Sequence, residues 1–190
     1  MDYKDDIETV FQSATKKGLW DHNDVHEHVS HINCEISEAY SAFTKNRRSR
    51  QSSFDHATSD EERISFYKTD IKNTFEGELA DTKISLLSLA GHLKISLNKE
   101  SIMIGSDLVI ERAIKKDNIF IIINRIHQLV SNIPNQYYSD CDKIPNVESK
   151  IILCLNAVER LASHCNVELN YFVKTGIWFN STRNYKHKGE

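Results

Sequence analysis

The chain has 190 residues, of which 39% are hydrophobic and 27% charged, and its net charge is −3. That length and apolar share fit a single helical domain over residues 1–190 with a modest core. So small a net charge gives no global case for nucleic-acid binding or membrane attachment. Only two prolines and six glycines point to long regular elements rather than many turns.

Nearly every segment reads as helix, which predicts an all-α multi-helix bundle. The opening MDYKDDIETV is acidic and polar, unlike a signal peptide. Residues 7–19 form a short amphipathic stretch ending near Gly18. Asp24 followed by Glu27 predicts a capping box opening a second helix. There Val25, Val29, Ile32, Ile36, Ala39 and Phe43 step by four and three, a complete apolar stripe. His28, His31, Glu35 and Glu38 follow the same rhythm one residue earlier, which places a polar stripe about 100° around the helix.

Residues 45–59, KNRRSRQSSFDHATS, break the pattern and read as a mobile, basic loop insertion. Ser59 and Glu62 predict a second capping box, with a helix over 60–75 that is interrupted or restarted at Gly77. Residues 78–94 carry a broad apolar surface (Leu79, Ala80, Ile84, Leu86, Leu87, Ala90, Leu93), as expected of the central helix of a bundle. A connector over 98–106 leads to one helix over 107–131, with Ile119, Ile122, Ile123, Ile126 and Leu129 inward. Its apolar run IFIIINRI is interrupted by Asn124 and Arg125 and is too short to span a membrane. Residues 132–146, with Pro134 and Pro145, read as a loop. Helices over 147–165 and 167–182 follow, then a basic tail over 180–190. Cys34, Cys141, Cys154 and Cys165 form no C-x-x-C pair, so they read as reduced thiols of a cytoplasmic protein, not a metal finger or disulfide framework.

The chemistry concentrates in two acidic pairs, Glu35/Glu38 and Glu78/Asp81. Residues three apart share a helix face, so each pair points two carboxylates one way beside an apolar stripe. No Lys or Arg stands four residues along to neutralise them; Ala39, Ala42, Thr82 and Ser85 occupy those positions. If the two helices pack together, four carboxylates converge, and a divalent cation is the simplest partner for them. Carboxylate oxygens select Mg²⁺, Mn²⁺ or Ca²⁺ over zinc, and magnesium held by few protein ligands is the usual arrangement for handling phosphates. Cations to hold phosphate oxygens stand near the C-terminus: Lys174, Arg183, Lys186 and Lys188, with Asn180 among them. The bland alternative is a set of solvated helix faces and a basic tail, in a helical interaction module whose partner interface is IFIIINRI.

These residues resemble the all-α nucleotide pyrophosphohydrolase superfamily of MazG-like proteins, whose members carry E-x-x-E on one helix and E-x-x-D on a later one. The matches are EISE (Glu35, Glu38) and ELAD (Glu78, Asp81), set in HINCEISEAYSAF and FEGELADTKISLLSLAGHLKISL. KTGIWFNSTRNYKHKG and the GLW around Trp20 resemble further family segments. The chain departs from the pattern in a longer gap between the motifs (residues 39–77), in Thr82 and Lys83 where apolar residues are common, and in Leu87 where polar ones are. The resemblance implies hydrolysis of a nucleoside triphosphate to the monophosphate and pyrophosphate. It implies Mg²⁺, with Mn²⁺ as a substitute, on Glu35, Glu38, Glu78 and Asp81. Glu38 would also accept the water's proton. Lys174, Asn180, Arg183 and Lys186 would grip the phosphates, in a homo-oligomer, either dimer or tetramer. The chain also reads as a non-catalytic nucleotide binder. His28 and His31 read as satisfied helix-face histidines, with a supporting role at the acids as the alternative. Trp20 reads as a core anchor, with base stacking as the alternative.

Overall fold

The computed structural model describes residues 3–21, 24–97, 107–139 and 144–183. These residues build an all-α bundle, and no strand occurs among them. The helices are α1 (Tyr3–Lys16), α2 (Val25–Thr44), α3 (Gln51–Asp55), α4 (Asp60–Phe66), α5 (Phe75–His92), α6 (Leu108–Lys115), α7 (Ile119–Ser131), α8 (Ile133–Ser139), α9 (Ile144–His164) and α10 (Leu169–Thr182), with a π-helical turn over Tyr67–Ile71. The 98–106 connector lies outside the described residues.

Helix α5 is the axis. It packs against α1, α2, α9 and α10, and its contact with α2 is the most extensive in the bundle. Phe75, Leu79, Ala80, Leu86, Leu87, Leu89 and Ala90 are all buried, which explains why its apolar residues surround the helix instead of forming one stripe. Its one buried cation is satisfied: Lys83 donates to Glu159 at 2.8 Å and to Asn170 at 3.2 Å. Helix α2 buries the stripe read from its sequence, Val25, Val29, Ile32, Ile36 and Ala39. Its start is capped by Asp24, whose carboxylate accepts from the His26 amide at 2.8 Å.

The structure departs from the sequence reading at several breaks. The helix expected over 60–75 ends in the π-helical turn. Lys72 then turns extended (ψ 142), Asn73 enters the left-handed region (φ 61), and Thr74 caps α5 by accepting from the Gly77 amide at 3.2 Å. Gly77 thus sits inside the first turn of α5. It is required there because a Cβ would collide with the backbone carbonyl oxygen of Ile71. The helix expected over 107–131 is two helices. Asp117 takes φ 51, and the side chain of Asn118 caps the second by accepting from the Ile121 amide at 3.1 Å. The loop expected over 132–146 contains α8 and the start of α9. Pro134 lies in the first turn of α8, where its missing N–H costs nothing.

Residues 45–59 are not a free loop. They include α3 and are fastened to the start of α5. The Glu76 carboxylate accepts from Arg48 Nε at 2.6 Å and from the Ser49 amide at 2.9 Å. The Phe75 amide donates to the Arg47 carbonyl at 3.0 Å, and Tyr171 donates to Asp55. The strap fixes the turn of α5 that carries Glu78.

Gly77→Ala separates packing from helix propensity. Propensity alone would stabilise by about 1 kcal/mol, whereas the collision with Ile71 costs about 1–3 kcal/mol. The expected outcome is a lower urea midpoint with unchanged slope; a raised midpoint would show that the Ile71 carbonyl yields freely.

Candidate functional site

The two acidic pairs meet where α2 lies on α5. One carboxylate oxygen each from Glu35, Glu38 and Glu78 lie within 4.8 Å of one another. Asp81 stands one turn along α5 from Glu78, and all four acids line a cavity of about 530 Å³. The polar stripe of α2 forms one wall: His28, His31, Glu35 and Glu38 all face the cavity. The remaining wall comes from α1 (Val10, Ser13, Ala14) and the chain just after it (Lys17, Leu19), from the Lys72–Asn73 turn, and from Ile177, Asn180 and Arg183. One part of the cavity is therefore acidic, while Val10, Leu19, Ile84 and Ile177 supply an apolar part.

The acids are held under electrostatic stress. Burial pushes Glu35 well above the usual carboxylate range, and the charge of Asp81 adds to it. Glu78 is raised further, first by burial and then because it keeps its proton to donate to Glu35. Burial lifts Asp81 to about 6 even though Lys72, His31 and Arg183 oppose the shift. The helix-local reading found no basic neighbour; the fold supplies Lys72 and Arg183 from elsewhere, yet burial and mutual repulsion still dominate. The three converging donors are all carboxylate oxygens, hard ligands that fit Mg²⁺ or Mn²⁺.

Of the phosphate-binding residues read from sequence, Asn180 and Arg183 reach the cavity and Lys174 does not. Gly176, Asn180 and Arg183 step by four and three along one face of α10. A Cβ on Gly176 would lie 2.9 Å from Ile84 and 3.7 Å from an Asp81 oxygen, so this face sits directly on the acidic helix. Lys174 falls about 120–180° from those three positions in register; it is exposed, and its charge acts on Asp6 of α1. Lys186 lies outside the described residues.

Trp20 is a core anchor. Its indole stacks on His92 at 3.9 Å and on His28 at 3.3 Å, and its Nε1–H donates to Ser88 at 3.1 Å. Trp20 is 8% exposed and stacked on two imidazoles, which leaves no open face for a base. His31 lies 3.3 Å from Glu35, so it stands beside the acids, and His28 closes the cavity wall. Sequence reasoning missed Lys17, Lys72 and Asn73. The only local signals were the Lys-Gly helix ending at 17–18 and a Lys-Asn pair before a capping Thr.

No family model matches the chain, and no curated protein and no solved structure matches it either. No helix among the described residues is long and apolar enough to cross a membrane. Cys34, Cys154 and Cys165 are free thiols.

The raised carboxyls set a pH dependence. The folded state holds these protons more tightly than the unfolded chain. The resulting stability is complete below the ordinary carboxylate pKa of about 4. It is lost as pH rises through about 6 for Asp81 and through the higher values of Glu35 and Glu78. Without divalent cations, Glu78→Gln should therefore stabilise the protein at pH 8 by on the order of 1–2 kcal/mol and by much less at pH 4. Thermal unfolding in EDTA at the two pH values checks this; an equal effect at both would contradict it.

Proposed function

We propose that this chain is a Mg²⁺-dependent nucleoside triphosphate pyrophosphohydrolase, cleaving (d)NTP to (d)NMP and pyrophosphate, with Mn²⁺ able to substitute. The observation that carries the reading is the convergence of Glu35, Glu38 and Glu78, with Asp81 beside them, in a cavity that Asn180 and Arg183 also line. The ordered E-x-x-E and E-x-x-D resemblance names the reaction class. A bound cation would supply charge neutralisation and a more acidic water.

Each residue then has a task. Glu35, Glu38, Glu78 and Asp81 would hold the cation, the more enclosed Glu35, Glu78 and Asp81 giving up protons to do so. Glu38 is the exposed acid of the set and accepts the proton of the attacking water at a carboxylate oxygen. Arg183 and Asn180 hold phosphate oxygens, Arg183 through its planar fork. The water oxygen bonds to phosphorus, the α–β anhydride bond breaks, and pyrophosphate leaves with the electron pair. The apolar part of the cavity, with Ser13, Ser85 and Ser88 around it, takes the nucleoside. A cytoplasmic nucleotide-pool role in a homo-oligomer, dimer or tetramer, goes with this reading.

A second reading, a non-catalytic nucleotide-binding or protein-interaction module, is favoured by Leu108, Val109, Phe120 and Ile121. These are exposed on α6 and α7, and none lines the cavity.

Glu38→Gln decides between catalysis and mere binding. Pyrophosphate release by wild type with Mg²⁺ is expected across at least one canonical NTP or dNTP. The variant should lose it by about a hundredfold or more while keeping its helical circular dichroism. Absence of release by wild type from every nucleotide would sink the enzyme reading.

A further inference from the structure

Lys17 is one of the cavity residues that the sequence motifs did not supply. It follows α1 at a Schellman ending. Gly18 takes φ 70, its amide donates to the Thr15 carbonyl at 2.9 Å, and the Leu19 amide donates to the Ala14 carbonyl at 3.1 Å. This ending turns the chain so that Lys17 and Leu19 both line the cavity, one turn beyond Ser13 on the same face. Arg183 occupies the equivalent position at the end of α10. Two cations from opposite ends of the chain thus stand beside one cavity, each just past a helix C-terminus, where the helix dipole offsets part of their repulsion.

They are close enough to feel each other. Burial and the charge of Arg183 bring Lys17 down to about 8, and Arg183 also acts on Asp81. Lys17 and Arg183 thus line one cavity together with the acids, two cations at separate places on its wall. An anion with one charge centre engages one of them; a chain of phosphates reaches both.

We infer that Lys17 and Arg183 form a two-cation clamp for consecutive phosphates of a polyphosphate ligand, with α1 as well as α10 contributing to the phosphate subsite. Only the identification of that ligand as a nucleotide rests on the proposed function. The clamp selects a triphosphate over a monophosphate, because only a ligand with consecutive charged phosphates engages both cations of the cavity at once. Lys17 is a binding and positioning residue and makes no bond to the reacting atoms.

The test is calorimetric titration of inorganic tripolyphosphate with Mg²⁺ into the full chain. Lys17→Gln and Arg183→Gln should each weaken binding about tenfold, with a smaller salt dependence. Lys17→Arg should bind near the wild-type level, and Lys174→Gln, which removes an exposed charge outside the cavity, should match wild type. Unchanged melting temperatures separate these losses from misfolding. Wild-type affinity in Lys17→Gln overturns the clamp, as does failure of the wild-type protein to bind tripolyphosphate. If the pattern holds but no nucleotide releases pyrophosphate, the clamp stands and the hydrolase reading falls.

Discussion

Where α2 lies on α5, the bundle places carboxyl groups at the edge of its hydrophobic core. Glu78 is buried, Glu35 and Asp81 are partly so, and burial raises the proton affinity of all three. Burying a charge is costly unless it is paired, and here the protein pays with proton uptake. The surrounding architecture bears on this contact. The Arg48–Glu76 strap and the Thr74 cap fix the first turn of α5, Gly77 lets that turn close against Ile71, and Gly176 brings α10 down onto Asp81. An arrangement that only needed a stable core would do better with apolar residues at these places. The energetic cost of placing carboxylates there is the physical argument that they serve a ligand.

Charge is partitioned within the cavity. The acids occupy the α2–α5 seam, and Lys17, Lys72 and Arg183 come from segments that end or turn beside it. All three cations follow the C-terminal end of a helical segment, α1, the π-helical turn and α10, so backbone dipoles hold them where side-chain pairing within a helix would not. This division suits a ligand that is itself divided, with an anionic chain at one end and a less polar group at the other, as in the proposed nucleotide substrate.

Much of this was legible in the sequence wherever one helix settles the matter. The offset between Val25-Val29-Ile32-Ile36 and His28-His31-Glu35-Glu38 gave the buried face and the cavity face of α2 together. The apolar breadth of 78–94 marked α5 as central. What escaped needed partners far along the chain. The basic segment 45–59 looked loose because its anchor, Glu76, lies 28 residues from Arg48. The breaks at 72–74 and 116–118 depend on left-handed Asn73 and Asp117, which side-chain periodicity does not register. Lys174 resembled a phosphate ligand by composition, but its register on α10 points it elsewhere. Lys17 had no motif at all, and only the Schellman turn after α1 brings it to the cavity.

Glu35 and Glu38 of α2 and Glu78 and Asp81 of α5 are proposed to form one cation site. Electron paramagnetic resonance titration of Mn²⁺ tests it most directly, comparing wild type with the paired variants Glu35→Gln/Glu38→Gln and Glu78→Gln/Asp81→Asn. One shared site requires saturable binding by wild type and loss of that same site in both variants, with helicity retained. Wild type that binds no Mn²⁺, or either variant binding it as wild type does, would contradict the claim.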